Sequence, residues 1–191
     1  MSDSTESTIV GKLVKNNTII ENIETQKELE LKGFGESSES TFLLESFESL
    51  YLLYTGKLVL RHKNKNVQFD DFLQLCIKKD PDILTKFLIF RDLRTKGYVV
   101  KDGFGFGSDF RVYERGQFGK KDAKYLVFGL DEGKQEKIGQ LQKKIEEITK
   151  MGKEPIISVI ERRGEVIYYK ISRINFLKNK VSLDMKDFDF N

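Results

Sequence analysis

The sequence predicts an α+β protein, with a small amino-terminal α/β domain followed by a second domain built on a mixed sheet with a helix packed on one face. Two observations predict this. Short alternating apolar segments are interspersed with segments whose apolar residues recur at a spacing of three to four. After residue 97 the order strand, strand, strand, helix, strand, strand is typical of a sheet covered by a helix. Asp80-Pro81 suggests domains at 8–80 and 81–191, after a tail at 1–7 that we expect to be disordered.

The amino-terminal elements follow from alternation, apolar stripes and turn residues. A turn at Asn16-Asn17 separates the first two strands, and Gly33 and Gly56 end the first two helices. Residues 35–40 read as a loop and His62–Asn66 as a basic turn. The predicted elements are strands Ile9–Val14 and Thr18–Ile20, helix Glu24–Leu31, strand Thr41–Leu44, helix Ser46–Thr55, strand Leu58–Leu60 and helix Asp70–Lys79.

The second domain begins with a helix over Pro81–Lys96, for which Asp80 is the expected cap and Pro81 the first residue. A helix over Lys134–Met151 is predicted by the spacing of its apolar residues. The predicted strands are Tyr98–Lys101, Asp109–Glu114, Tyr125–Gly129, Glu154–Ile160, Glu165–Ile174 and Lys180–Leu183.

Composition narrows the class of protein. The chain has 33 basic and 30 acidic residues, a balance that permits nucleic-acid binding without demanding it. A single cysteine, Cys76, excludes a disulfide framework and a cysteine-based zinc site, which fits a reducing compartment. The polar, acidic first residues and the lack of an apolar run of ~18–20 residues predict a cytoplasmic protein.

The most informative stretch runs from Phe90 to Gly116. Alternation along its second strand puts Phe110 and Val112 on one face and Asp109, Arg111 and Tyr113 on the other. A tyrosine flanked by arginines on a polar strand face is typical of a site that binds or cleaves a phosphodiester.

This stretch carries a family resemblance. Together with Lys124-Tyr-Leu-Val, Lys153 and Glu165–Arg173, it resembles the archaeal-type tRNA-splicing endonuclease, or tRNA-intron lyase. The amino-terminal half agrees, since Leu31-Lys-Gly-Phe-Gly and Phe42–Lys57 resemble the small first domain of that family. The resemblance covers residues 9 to 174 and implies that the second domain is nuclease-like.

The resemblance implies cleavage of precursor tRNA at bulge–helix–bulge intron boundaries, with no metal or cofactor. A 2′-hydroxyl attacks the neighbouring phosphate, leaving a 2′,3′-cyclic phosphate and a 5′-hydroxyl. The family uses a tyrosine, a histidine and a lysine, because the reaction needs a base, an acid and a cation beside the phosphate. The tyrosine corresponds to Tyr113 and the lysine to Lys153, but the histidine position holds Asp122.

An aspartate is a feeble base toward a 2′-hydroxyl, and Lys120, Lys121 and Lys124 oppose the upward pKa shift that an acid role would require. The one histidine, His62, is predicted to lie in a surface turn. We therefore expect a non-catalytic, structural subunit of a heterotetramer that contains a catalytic sister subunit. Two alternatives stay open: a self-sufficient endonuclease with an altered triad, and an RNA-binding or assembly protein on the same fold.

The resemblance also implies two subunit contacts and an RNA surface. Carboxyl-terminal strands would pair between chains, and an acidic loop would enter a basic cleft of another subunit, although an ordinary acidic turn explains that loop equally well. The interface candidates are Asp131, Glu132, Val166, Tyr168, Ile171 and Ile174. The candidates for phosphate contacts with precursor tRNA are Arg111, Arg115, Lys120, Lys121, Lys124 and Arg173.

Overall fold

The fold is described from a computed structural model that covers residues 8–38, 41–103, 108–131 and 138–171. Several predicted features lie outside these ranges: the tail at 1–7, the start of the helix predicted from Lys134, the strand Lys180–Leu183, and the candidates Glu132, Arg173 and Ile174. Within the described ranges, no helix is long and apolar enough to cross a bilayer.

The amino-terminal half forms a six-stranded sheet in the order β3-β4-β2-β1-β5-β6. Strands β1 and β5 run parallel, and the other neighbours are antiparallel. The strands are β1 Ile9–Val14, β2 Asn17–Ile20, β3 Glu36–Ser38, β4 Thr41–Leu44, β5 Leu58–His62 and β6 Lys65–Val67. The helices are α1 Ile23–Leu31, α2 Ser46–Tyr54 and α3 Phe69–Lys79.

Three predictions in this half are wrong. The turn predicted at Asn16-Asn17 is formed by Lys15 and Asn16, which both adopt positive φ angles, and Asn17 begins β2.

The other two concern the edge strands of this sheet. The predicted loop at 35–40 contains edge strand β3, whose three residues are all exposed and therefore leave no apolar alternation in the sequence. The predicted basic turn at His62–Asn66 is only two residues long, because Lys63 and Asn64 both adopt positive φ angles, as in a tight type I′ hairpin turn. Strand β5 therefore continues to His62, and β6 begins at Lys65.

The second half forms a five-stranded mixed sheet in the order β11-β10-β9-β8-β7. Strands β9 and β10 are parallel, and the remaining pairs are antiparallel. The strands are β7 Val99–Asp102, β8 Phe110–Tyr113, β9 Tyr125–Asp131, β10 Glu154–Ile160 and β11 Val166–Lys170. The helices are α4 Ile83–Thr95, before β7, and α5 Ile138–Lys150, between β9 and β10. The predicted α+β class is confirmed.

Helices lie on both faces of this second sheet. Ile148 of α5 packs against Leu126 and Phe128 of β9. Val127, between them in the sequence, belongs to the main core on the other face, together with residues of α4. The predicted helix on one face is α5, and α4 adds a second helix on the opposite face.

Helix α4 begins two residues later than predicted, with Asp82 rather than Asp80 at its N-cap. The Asp80 carboxylate instead accepts a hydrogen bond from the backbone N–H of Asp82 (3.0 Å) and another from Lys86 Nζ (2.7 Å). Pro81 lies in the turn before the helix.

The two halves share one apolar core. Phe47 of α2 contacts the rings of Phe90 on α4 and Phe110 on β8, at centroid distances of 5.0 and 5.1 Å. Phe90 and Phe110 are completely buried. Strand β8, which begins at Phe110, therefore has a fixed position relative to the amino-terminal half.

Candidate active site

The sheet topology brings the three predicted triad positions to one end of the second sheet. Strand β8 runs antiparallel to β9, and β9 runs parallel to β10, so the end of β8 lies beside the beginnings of β9 and β10. Tyr113 is the last residue of β8, Asp122 lies three residues before β9, and Lys153 immediately precedes β10. The backbone N–H of Lys124 donates to the Val112 carbonyl (3.0 Å), which holds the returning loop against β8.

Lys153 is fixed next to Asp122 by a hydrogen bond. Its Nζ donates to the carbonyl of Ala123 at 2.7 Å, and Ala123 is itself buried. The backbone N–H of Glu154 also donates to the Lys124 carbonyl (2.9 Å). The ammonium group is therefore held against the residue that follows Asp122, at the end of the sheet where β9 and β10 begin.

Tyr113 is held by an aromatic contact that the sequence did not predict. The Phe118 ring meets the Tyr113 ring edge to face, at a centroid distance of 5.0 Å and an interplanar angle of 89°. Phe118 also lies against Gly33, where an added Cβ would come within 3.4 Å of its ring. In the sequence, the only signal for this contact was a lone aromatic residue, Phe118, in a polar loop. Through Phe118, the end of α1 supports the tyrosine.

Asp122 is exposed and has no hydrogen-bond or ion-pair partner among the described residues. His62 lies elsewhere, at the end of β5 in the first sheet, where its Nδ1 is 3.1 Å from the Leu13 carbonyl oxygen. The described end of the second sheet thus offers a phenol, an ammonium and a carboxylate, without an imidazole.

The predicted RNA-binding residues do not all lie on one surface. Arg115, Lys120 and Lys121 are exposed on the loop between β8 and β9, and the Arg115 guanidinium lies 5.1 Å from the centre of the Tyr98 ring. Arg111 points away from this loop, since its Nε donates to the Asp102 carbonyl (2.8 Å) and its Nη2 lies 3.9 Å from Glu36.

Lys124 lies at the same end of the sheet but is already paired with carboxylates. Its ammonium hydrogen-bonds Glu114 and lies 4.0 Å from Glu154, which also pairs with Lys170 at 2.8 Å. The hydrogen bond from Lys124 lowers the pKa of Glu114, and the same bond raises the pKa of Lys124. A phosphate contact from Lys124 would have to compete with these carboxylates.

The predicted interface residues on β11 are used within the chain. Val166 and Tyr168 pack against the main core, and the Tyr168 hydroxyl donates to Asp92 on α4 at 2.6 Å. Ile171 is half-buried, and its N–H donates to the Pro155 carbonyl (3.2 Å). In the described sheet β11 is the end strand, so the predicted pairing between chains stays a prediction that depends on its backbone edge. Asp131 ends β9.

Carboxylates and other metal ligands do not gather into any group of three or more in the part of the chain that the structure describes.

Two family models match the sequence: the tRNA intron endonuclease N-terminal domain over residues 9–73, and the tRNA intron endonuclease catalytic C-terminal domain over residues 83–168. The chain belongs to the tRNA-splicing endonuclease family.

Curated relatives support this membership across most of the chain. The tRNA-splicing endonuclease of Methanococcus vannielii is 30% identical over 167 residues, which cover 87% of this chain and 94% of the relative. The tRNA-splicing endonucleases of Thermococcus onnurineus and Pyrococcus horikoshii are also 30% identical, over 75% and 76% of this chain and 82% and 84% of theirs. The predicted family is therefore confirmed, and the tRNA-splicing endonuclease catalytic-domain match includes Tyr113, Asp122 and Lys153.

Proposed function

We propose that this chain is the structural subunit of a heterotetrameric tRNA-splicing endonuclease that cuts precursor tRNA at bulge–helix–bulge intron boundaries. A catalytic sister subunit would supply the cleaving site, and the products would carry 2′,3′-cyclic phosphate and 5′-hydroxyl ends. The single observation that carries the proposal is the carboxylate of Asp122, at the sheet end shared by Tyr113 and Lys153.

The chemistry of the reaction supports a structural role. The attacking 2′-hydroxyl must lose a proton, and the departing 5′-oxygen must gain one, near neutral pH. Lys153 has the charge to stabilise a phosphorane, and Tyr113 has a hydroxyl. Asp122 is exposed, and its carboxylate would repel the phosphate and does not supply the imidazole that makes proton transfer effective near neutral pH. Losing one general acid or base typically lowers a rate by ~10²–10⁴-fold.

The decisive experiment compares the purified chain with the same chain bound to a triad-complete sister subunit. Each sample is incubated with a bulge–helix–bulge RNA, and the product ends are identified. We expect cleavage only by the complex. Efficient cleavage by the chain alone would refute the structural role, and no cleavage by either sample would favour an RNA-binding or assembly protein.

Two matched variants then test Asp122 itself. Asp122→His restores an imidazole, whereas Asp122→Asn removes the negative charge without adding a group that titrates near neutrality. We expect Asp122→His alone to raise cleavage by the isolated chain, by roughly 10²-fold or more. Equal gains in both variants would show that charge repulsion, rather than the missing imidazole, limits the reaction.

The self-sufficient enzyme is the second candidate, because Lys153 and Tyr113 remain in place and Phe118 still holds the tyrosine ring. It predicts that the isolated chain cleaves RNA and that Asp122→Asn abolishes this activity.

A further inference from the structure

A groove follows the seam between the two halves of the chain and begins beside the candidate active site. Two adjoining cavities of about 300 and 210 Å³ form it, and they share Ile9, Glu28, Lys32 and Lys57 as walls. The larger cavity extends to Tyr98 and Val99. Because Val99 is the strand partner of Tyr113, one end of the groove lies next to that tyrosine.

Positive charge predominates along this seam groove. Lys32, Lys57 and Arg94 line it, and Glu28 is the only carboxylate among the described residues that line the two cavities. Arg115 adds a fourth cation at the end near Tyr113, where its guanidinium lies over the Tyr98 ring. An excess of cations along a groove favours an anionic, extended ligand.

Arg94 is the most informative of these cations. Its guanidinium lies 4.0 Å from the centre of the Phe34 ring and donates one hydrogen bond, to the Lys32 carbonyl (2.9 Å). It forms no ion pair with a described carboxylate, and desolvation lowers its pKa, although the charge of buried Glu48 opposes that shift. A partly buried cation with no carboxylate in contact keeps part of its desolvation cost, and an anion in the groove would relieve that cost.

Aromatic walls accompany the cations. Phe34, Tyr51 and Tyr98 line the larger cavity. Arg94 lies over the Phe34 ring and Arg115 over the Tyr98 ring, so these aromatic side chains hold the guanidinium groups in place along the groove. A nucleic-acid strand would contact this line of cations through its phosphates. The end of the groove beside Tyr113 favours RNA over an acidic peptide, because a strand that leaves the candidate active site would enter the groove there.

We propose that the seam groove binds a single-stranded RNA segment that continues from the bulge at the cleavage site, with its phosphates near Lys32, Lys57 and Arg94. This inference rests on the proposed function, because precursor tRNA supplies the strand. It extends the RNA surface from the loop between β8 and β9 into the amino-terminal half.

The test uses the full complex with its sister subunit, in the parent form and with Lys32→Gln and Lys57→Gln combined. The matched control combines Lys12→Gln and Arg61→Gln, two exposed cations on neighbouring strands β1 and β5, away from the seam groove. Fluorescence anisotropy measures binding of two RNAs with a 2′-deoxynucleotide at each cleavage site: a full precursor tRNA, and one whose intron is cut back to the bulge nucleotides.

We expect the groove variant to bind the full RNA roughly tenfold more weakly at about 0.15 M salt, with a salt slope smaller by about 1.4, the effect of losing two single-strand phosphate contacts. Binding of the trimmed RNA, and both affinities of the control variant, should match the parent complex. Circular dichroism and light scattering check the folding and the assembly of each variant.

Three results would overturn the inference while leaving the proposed function intact: unchanged binding by the groove variant, equal losses in the control variant, or equal losses with the trimmed RNA. Loss of tetramer assembly in the groove variant would identify a protein partner for the groove instead. Failure of the parent complex to bind precursor tRNA would remove the proposed function and this inference together.

Discussion

Lys101→Met is predicted to destabilise the protein strongly, because it breaks a buried ion pair that joins the two halves. Lys101 Nζ on β7 donates to the Gly35 carbonyl at 2.6 Å and lies 3.9 Å from Glu48 Oε1 on α2. The other Glu48 oxygen accepts from the backbone N–H groups of Gly35 (3.0 Å) and Glu45 (2.9 Å). Both members of the pair therefore bind the Gly35 backbone, one from each half.

The magnitude follows from this geometry. At 3.9 Å and an effective dielectric constant of about 20, the two charges attract each other by about 4 kcal/mol. The variant also loses a charged hydrogen bond to Gly35, but it no longer buries an ammonium group. The expected net loss in unfolding free energy is about 3–5 kcal/mol at pH 8, the usual cost of removing one partner from a buried pair.

The loss should shrink at lower pH. Burial raises the pKa of Glu48 to about 7, against the opposing effects of Lys101 and the two backbone donors. At pH 5.5 the carboxyl group is protonated in the folded protein, so removing Lys101 no longer isolates a buried negative charge. We expect the cost of Lys101→Met to fall by at least about 1 kcal/mol between pH 8 and pH 5.5.

Urea denaturation followed by circular dichroism, at both pH values and one protein concentration, measures these differences. Lys12→Met is the matched control, since Lys12 pairs with Glu21 but both side chains are more than half exposed. It should cost no more than about 1 kcal/mol. If Lys101→Met costs as little as the control, or costs the same at both pH values, the buried pair does not join the halves as argued.

Two further predictions concern single groups. Glu48→Gln removes a carboxyl group whose pKa is raised in the folded state. Such a group contributes stability below its unfolded pKa of 4.5, and this contribution is lost as the pH rises through about 7. In urea titrations, the unfolding free energy of the parent relative to the variant should therefore fall by about 3 kcal/mol between pH 4.5 and pH 8. Tyr168→Phe loses the hydrogen bond to Asp92 and should cost about 1.5–3 kcal/mol, whereas Tyr169→Phe, more than half exposed, should change stability by less than about 0.5 kcal/mol; equal effects of the two would contradict the assignment.

The elements marked by apolar periodicity or by a helix-ending glycine were predictable from the sequence, and α1 belongs to the second kind, since Leu29 is its only buried residue. Strands β1, β4 and β10 and helices α1, α2 and α3 match their predicted bounds to within one residue. Strands β3 and β6 were missed because their residues are mostly exposed and polar, so pairing with a neighbour, rather than burial, defines them. The N-cap of α4 was misplaced because Asp80 and Asp82 both have the chemistry of a cap.

The candidate site was only partly predictable. Tyr113 and Lys153 came from the family resemblance, and their convergence follows from the parallel pairing of β9 with β10, which depends on contacts between distant residues. The same limit applies to Phe118 beside Tyr113 and to the carboxylates around Lys124, because no sequence spacing specifies those neighbours. Arg111 lies on the predicted face of its strand, yet its side chain contacts Asp102 and Glu36 instead of extending toward the loop between β8 and β9.

The surroundings of Asp122 make the proposed loss of catalysis testable without damage to the fold. Asp122 is exposed and bonds to no described residue, while its neighbour Ala123 is buried and supplies the carbonyl that holds Lys153. Nothing in the described packing therefore requires a carboxylate at this position. Asp122→His should change the unfolding free energy by no more than about 0.5 kcal/mol, as for other exposed substitutions.

Because Asp122→His should hardly change stability, its effect on RNA cleavage can be measured separately from any effect on the fold. If Asp122→His leaves urea denaturation unchanged and still gives no cleavage by the isolated chain, the missing imidazole is not the only deficiency of the site. A large loss of stability would show instead that Asp122 has a structural role that the described contacts do not reveal. A stable variant that gains cleavage would mean that Tyr113 and Lys153 already stand where the reaction needs them.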